Sequence, residues 1–214
     1  MDHRMLGFFS GFPSRHFPQA VAGRLAEGLD RNGALVFVSA WPEDHERNEQ
    51  DSAGMYQMFL EYGLSFANYD VIDSGTEASR AVELIQEGSC LFLMGGHPGK
   101  QRQLIRELGL ERAIRDSSAA VLGVSAGAIN MAERSLDTKE SLVPYDGLGL
   151  ADITLKPHFD RRNQRVLSTL LEISKKLPIC AMEDDSAIFT AEGGVFCLGA
   201  VHWIYQGKIR PFQP

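Results

Sequence analysis

The stretch A-A-V-L-G-V-S-A-G-A-I-N-M, Ala119 to Met131, decides how the rest of the chain is read. Ala119 to Leu122 are consecutive apolar residues, as in a short strand buried on both faces. Gly123-Val124-Ser125-Ala126-Gly127 fits G-x-S-x-G, and Ala126 to Met131 predicts the first turns of a helix. Strand, sharp turn and helix are the context in which this motif lifts a serine hydroxyl off a sheet. Gly123 and Gly127 let neighbouring backbone pass without a Cβ in the way. The N–H of Ala126, at the helix start, would point at an oxyanion forming beside Ser125. A Gly-Ser-Ala turn can also serve only to pack a helix on a sheet, but the flanking strand and helix favour the reactive serine.

Upstream of this elbow, strand and helix patterns alternate. Met5 to Ser10 reads as a first strand and Phe17 to Arg31 as a helix with Val21, Leu25 and Leu29 inward. Ala34 to Ser39 is a continuous apolar run, suited to a central parallel strand. Trp41 to Ser52 is polar and reads as a loop, and Gly54 to Tyr62 as a short helix whose Met55, Met58, Phe59 and Tyr62 suit the core. Phe66 to Ile72, then Glu77 to Glu87, then Cys90 to Met94, then Lys100 to Leu110 continue the alternation as strand, helix, strand, helix. Such a pattern predicts a three-layer α/β fold, with a mostly parallel central sheet and helices on both faces. Sites in these sheets lie beyond the carboxyl ends of the strands, where both Gly95-Gly96 and Ser125 fall.

Downstream the pattern changes. Arg134 to Gly149 is polar and turn-rich, Asp152 to Leu155 reads as a short strand, and Arg161 to Leu177 as a helix. Four short strands then follow, at Ile179 to Met182, Ala187 to Thr190, Gly194 to Leu198 and Val201 to Tyr205, with Glu192-Gly193-Gly194 as a hairpin turn. They are expected to form small antiparallel additions to the fold.

The 214 residues fit one domain spanning 1–214, with 44% hydrophobic and 23% charged residues. A net charge of −7 argues against nucleic-acid or anionic-membrane partners but leaves a small substrate open. Cys90, Cys180 and Cys197 lie in apolar runs without metal-ligand spacing, and an odd count suits buried free thiols in a reducing compartment. Without a signal-peptide pattern or a run of membrane-spanning length, the expected location is the cytoplasm.

A reactive serine needs a base, and the base needs an orienting acid. His158 follows a strand and Pro157, on a strand-end loop where a base belongs, although a surface histidine fits that position equally well. Gly95-Gly96 offers backbone N–H groups as a second oxyanion donor, from Gly95, Gly96 or His97, since Pro98 has none. Glu183-Asp184-Asp185 follows an apolar strand and would be an ordinary solvated loop unless His158 requires a partner.

Gly95-Gly96, the elbow G-V-S-A-G-A, Pro157-His158-Phe159 and the acid after the Ile179 strand occur in an order that resembles peptidase family S51, which includes dipeptidase E and cyanophycinase. The resemblance spans about Leu91 to Leu198. It implies a fold like class I glutamine amidotransferases, with serine in place of their cysteine. It further implies Ser125 as nucleophile, His158 as base, and Ala126 with Gly96 and Gly95 as the oxyanion hole. The family's triad acid is a glutamate, and the matching position here is Asp184, one methylene shorter. Glu183 is the alternative acid, and Glu140, in the loop after the elbow helix, a further one.

His97 stands where the family usually has asparagine. The family's preference for acidic substrates implies a role for the run H-F-D-R-R-N-Q-R, similar to a cyanophycinase stretch. There Arg161, Arg162 and Arg165, with His97, would bind the substrate, Arg161 and Arg165 sharing a helix face. The expectation is a serine peptidase for short peptides with an acidic acyl-side residue. No metal or organic cofactor is implied, and the expected partner is a small peptide, with a homodimer left open. Two other readings stand beside it. One is a non-catalytic member that binds a ligand or partner at the same place. The other is an α/β-hydrolase esterase, for which His202 is the only late histidine.

Overall fold

The computed structural model describes residues 4–136, 144–191 and 194–212. From the amino-terminal side, β1 (Leu6–Phe9) leads through α1 (Gln19–Gly28) to β2 (Ala34–Val38), and α2 (His45–Leu60) leads to β3 (Tyr69–Ile72). Next come α3 (Ala78–Glu87), β4 (Gly88–Leu93), α4 (Pro98–Glu107), α5 (Leu110–Asp116), β5 (Ala120–Val124) and the elbow helix α6 (Ala126–Met131). They are followed by β6 (Ala132–Leu136), β7 (Pro144–Asp146), β8 (Ala151–Lys156), α7 (Gln164–Ile173) and β9 (Ile179–Met182). The remaining strands are β10 (Ala187–Ala191), β11 (Gly194–Leu198), β12 (Val201–Tyr205) and β13 (Lys208–Pro211).

The larger sheet has the order β11-β10-β1-β5-β4-β2-β3. Its five strands from β1 to β3 are parallel, and β10 and β11 extend it antiparallel. The unbroken apolar runs arise because both faces are covered. Successive residues of β2 alternate sides: Val36 and Val38 meet α3, α4 and α5, while Leu35 and Phe37 meet α1 and α2. β4 does the same with Leu91 and Leu93 against Cys90 and Phe92. The α1/α2 side is dominated by Phe9, Phe17, Phe37, Phe59, Phe92 and Phe189, each at most 1% exposed. Burying each contributes roughly 1.5–3 kcal/mol of transfer free energy. The three-layer α/β architecture expected from the alternating pattern is therefore the one observed.

Three parts of the sequence reading need correction. The stretch from Trp41 to Ser52 is not all loop: the Asp44 carboxylate accepts the N–H of Arg47 at 3.2 Å and starts α2 at His45. The first turns of α2 face solvent, so their polarity hid the helix. The segment after the elbow is not merely turns, since β6 and β7 pair within it. The late strands are also not a small appendage. β10 and β11 join the main sheet, while β13-β12-β9-β8-β6-β7 form a second sheet. Period-2 patterning locates strands but does not assign them to sheets. The expected Glu192-Gly193 turn lies outside the described residues.

The second sheet sets up the site. β8 and β9 are parallel neighbours, so the loops after Lys156 and Met182 leave the sheet side by side. The turn after β9 carries the chain into β10 of the first sheet, next to β1. The carboxyl ends of β1, β4 and β5 in one sheet thus converge with those of β8 and β9 in the other.

Candidate active site

Ser125 stands between β5 and α6 with φ 51° and ψ −105°. This backbone is unfavourable for a residue with a Cβ and costs about 1–3 kcal/mol, held in place by its surroundings. The Ser125 N–H donates to the Phe9 carbonyl at 2.9 Å, and its carbonyl accepts the N–H of Ile129 at 3.0 Å. Close packing of α6 on the sheet completes the constraint. A Cβ at Gly127 would lie 1.9 Å from the Leu93 oxygen, and one at Gly123 would lie 2.6 Å from the Gly127 carbonyl carbon.

His158 follows β8 and also has a positive φ, 52°. Its Nε2 lies 2.8 Å from Ser125 Oγ and its Nδ1 lies 2.7 Å from Asp184 Oδ1. A carboxylate only accepts, so Nδ1 carries the proton and Nε2 is free to accept the serine O–H. The His158 and Asp184 side chains are 39% and 40% exposed. An ion pair that open adds little to stability, and its contribution is orientation.

Asp184 and Glu183 point to different histidines. Glu183 Oε1 is 2.7 Å from Nε2 of His202, on β12, whose ring packs edge-on against Phe159. Glu183 and His202 thus form a pair of their own, and Asp184 is the acid beside His158. The turn that carries Asp184 is drawn against β1: the Asp185 N–H donates to the Gly11 carbonyl at 2.8 Å, and Asp185 has φ 61°. Glu140 lies outside the described residues.

Two residues absent from the sequence reading hold this group together. The fully buried Ser10 accepts the His158 N–H at 2.8 Å on its Oγ. The Ser10 hydroxyl donates to the Met182 carbonyl at 3.0 Å, with Asp184 Oδ1 at 3.3 Å as its other acceptor. Gly11 must be glycine, because a Cβ there would lie 2.6 Å from His158 Cε1 and 2.8 Å from Asp184 Oδ1. The only sequence sign of either is a small polar residue and a glycine closing a strand.

The Ala126 N–H, in the first turn of α6, has no acceptor among the described residues, and neither do the N–H groups of Gly95 and Gly96. Gly95 lies against the serine: a Cβ on it would be 3.8 Å from Ser125 Cβ. Gly96 has φ 145° and presses on Trp41, whose Nε1 would be 2.4 Å from an added Cβ. His97 is excluded as a donor because its N–H bonds to the Ala40 carbonyl at 3.4 Å. Its ring caps α4, with Nδ1 accepting the Lys100 N–H at 3.3 Å. His97 thus has a helix-capping role that the sequence reading did not include.

The arginines are arranged differently from expectation. Asn163 caps α7, accepting the Val166 N–H at 3.2 Å, so the helix starts at Gln164. Arg161 and Arg162 precede it, and Arg161 and Arg165 do not share a helix face. Arg162 forms a two-pronged contact with Asp160 at 3.0 and 3.1 Å, which holds the Asp160 carboxyl below its ordinary range. Among the described residues Arg161 and Arg165 make no ion pair and are exposed.

The three cysteines are free. Burial pushes the Cys180 thiol up to about 12, with the Cys197 thiol adding to it, and pushes Cys197 up to about 11. Cys90 is raised too, again by burial. Thiols so shifted hold almost no thiolate near pH 8 and are poor nucleophiles. Iodoacetamide at pH 8 is therefore expected to leave activity unchanged and native thiols largely unmodified by mass spectrometry, all three reacting after unfolding. Rapid inactivation of the folded protein would contradict this. Among the described residues, no three His, Cys, Asp or Glu side chains group as a metal site would require, and no helix is long and apolar enough to cross a membrane.

A serine, a histidine and an aspartate thus meet at the strand ends of an α/β sheet, an arrangement of the kind that hydrolases use. Comparison with known proteins makes this more specific. The model of peptidase family S51 matches residues 31–198, and the chain belongs to that family. The solved structure of a peptidase from an acI-B1 Actinobacterium superposes with a TM-score of 0.69, covering 98% of this chain and 97% of that one at 17% identity. A Listeria monocytogenes EGD-e protein described as a peptidase E gives 0.65, with 92% and 98% covered at 16% identity. These two likenesses establish the fold. The pyridoxal 5'-phosphate synthase subunit PdxT of Deinococcus radiodurans is 32% identical over 127 residues, 58% of this chain. The chain spans only about half the length of that curated relative, 54%.

Proposed function

We propose that this member of peptidase family S51 is a serine-type peptidase that hydrolyses short peptides. The observation that carries the proposal is the unbroken chain of contacts from Ser125 Oγ through His158 to Asp184, at 2.8 and 2.7 Å. Ser125 Oγ attacks the scissile carbonyl carbon while its proton passes to His158 Nε2. The carbonyl oxygen, now an oxyanion, is met by the N–H of Ala126 and by that of Gly95 or Gly96, each of which has no competing acceptor among the described residues. As the C–N bond breaks, His158 returns the proton to the departing amine. Water, deprotonated by the same nitrogen, then cleaves the ester and restores the hydroxyl. Asp184 keeps the imidazole in the tautomer whose Nε2 accepts.

The acidic acyl-side residue that the resemblance implies, as in dipeptidase E, is left out of this proposal, because Arg162 is already answered by Asp160 and Arg161 and Arg165 stand apart in solvent. The test of the chemistry is a fluorophosphonate probe. The protein is expected to be labelled at Ser125, as read by peptide mapping, and His158→Ala to lose the labelling. A folded protein that takes no label would favour the non-catalytic reading.

A further inference from the structure

The site borders a cleft that the expectation of an acidic substrate does not explain. A cavity of about 240 Å³ opens beside Gly95 and Val124, the neighbours of the candidate nucleophile. Gly95 joins the two features, since a Cβ on it would be 3.4 Å from Val124 Cγ1 and 3.8 Å from Ser125 Cβ. The apolar walls are Phe92 and Val124 from the sheet, Met94 just after β4, Phe12 from the loop after β1, and Met55 and Met58 from α2. Met55 and Met58 are three apart on one helix and so point the same way. The sequence reads both as core. Met58 is buried, but Met55 is only half-buried and faces the cleft.

Its polar lining residues, Arg15, Gln50 and Asp51, are all exposed. Asp51 is paired to Arg47 at 3.2 Å, and Arg15 is exposed, where attraction to a substrate charge is screened by solvent. The interior offers thioethers and rings. Methionines adapt their shape to an apolar guest and do not solvate a carboxylate. The volume is below the roughly 300–1,000 Å³ typical of sites that enclose a whole ligand, and suits one side chain.

We infer that this cleft is the subsite for the acyl-side residue of the peptide, and that it selects a medium or large apolar side chain such as Leu, Met or Phe. The acyl side is assigned because the cleft shares Gly95 with the candidate oxyanion donors, whereas His158, which must reach the departing amine, is not on its walls. The inference rests on the serine-peptidase reading.

The test varies only the acyl-side residue. Leu, Met, Phe, Ala and Asp p-nitroanilides are compared by kcat/KM, and fluorophosphonate labelling is run in parallel. Leu, Met or Phe is expected to exceed Ala and Asp by about 10- to 100-fold. A second arm narrows the cleft from α2. Gly54 lines it, and a Cβ there meets nothing within 4 Å, so Gly54→Phe is expected to fold with an unchanged or higher Tm. The Leu-to-Ala ratio of kcat/KM is expected to fall at least tenfold in this variant. A preference for Asp, equal rates across the series, an unchanged ratio in Gly54→Phe, or labelling without cleavage of any member would each overturn the subsite. Labelling at Ser125 would leave the serine chemistry standing in all four cases. Loss of labelling in the unmodified protein would instead remove the reading on which the subsite rests.

Discussion

Ser125→Ala is expected to lower kcat by about 10⁴- to 10⁶-fold while leaving the fold intact, and adding His158→Ala to it is expected to change little more. The reason is that serine and imidazole act as one device: without the hydroxyl there is no proton for Nε2 to accept. The structural cost should be small, because among the described residues the only side-chain hydrogen bond of Ser125 is the one to His158. The backbone at φ 51° is held by the Phe9 and Ile129 contacts, which alanine keeps. Circular dichroism and a Tm within a few degrees of the parent would establish that the variant is folded, and single-turnover assays would give kcat. Additive losses in the double variant would mean that the two residues act separately, against the proposed mechanism.

The contrast between what could and could not be read from the sequence has physical causes. The elbow was legible because its constraints are local. A five-residue apolar strand, the glycines Gly123 and Gly127, and a helix starting at Ala126 are all written in consecutive positions. The parallel strands were legible because both of their faces are buried. His158 was visible only as a histidine after a proline. What gives it meaning is the parallel pairing of β8 with β9, a contact between residues far apart in sequence.

Ser10 and Gly11 stayed hidden for the same reason: their partners are Met182, Asp184 and His158. The first half of α2 is hard to see in the sequence because its opening turns are polar and its one local signal is the capping residue Asp44. Asn163 is also a capping residue, and it leaves Arg161 and Arg162 ahead of the helix that periodicity alone extends over them. The cleft could not be read at all. Its walls are apolar residues that would pass for core anywhere in the chain, and only the meeting of α2 with the strand ends leaves them unfilled.

The acid supplies the sharpest remaining prediction. Asp184→Asn is expected to reduce kcat by about 10⁴-fold, because an amide can donate to Nδ1 and so favours the tautomer whose Nε2 carries the proton. The serine hydroxyl would then face a donor. Glu183→Gln removes a charge from the adjacent position, yet its partner is His202, and kcat is expected to stay within severalfold of the parent.

The same geometry accounts for an aspartate where the family's resemblance led to a glutamate. The turn is pulled inward by the Asp185–Gly11 hydrogen bond, and an added Cβ at Gly11 would already lie 2.8 Å from Asp184 Oδ1. Asp184 Oδ1 is already 2.7 Å from His158 Nδ1, so a side chain one methylene longer would overshoot the ring unless the turn retreats. Asp184→Glu is therefore expected to recover only part of the activity lost in Asp184→Asn. If Asp184→Asn kept full activity while Glu183→Gln lost it, the orienting acid would be Glu183 and the proposed triad would be wrong at its third member.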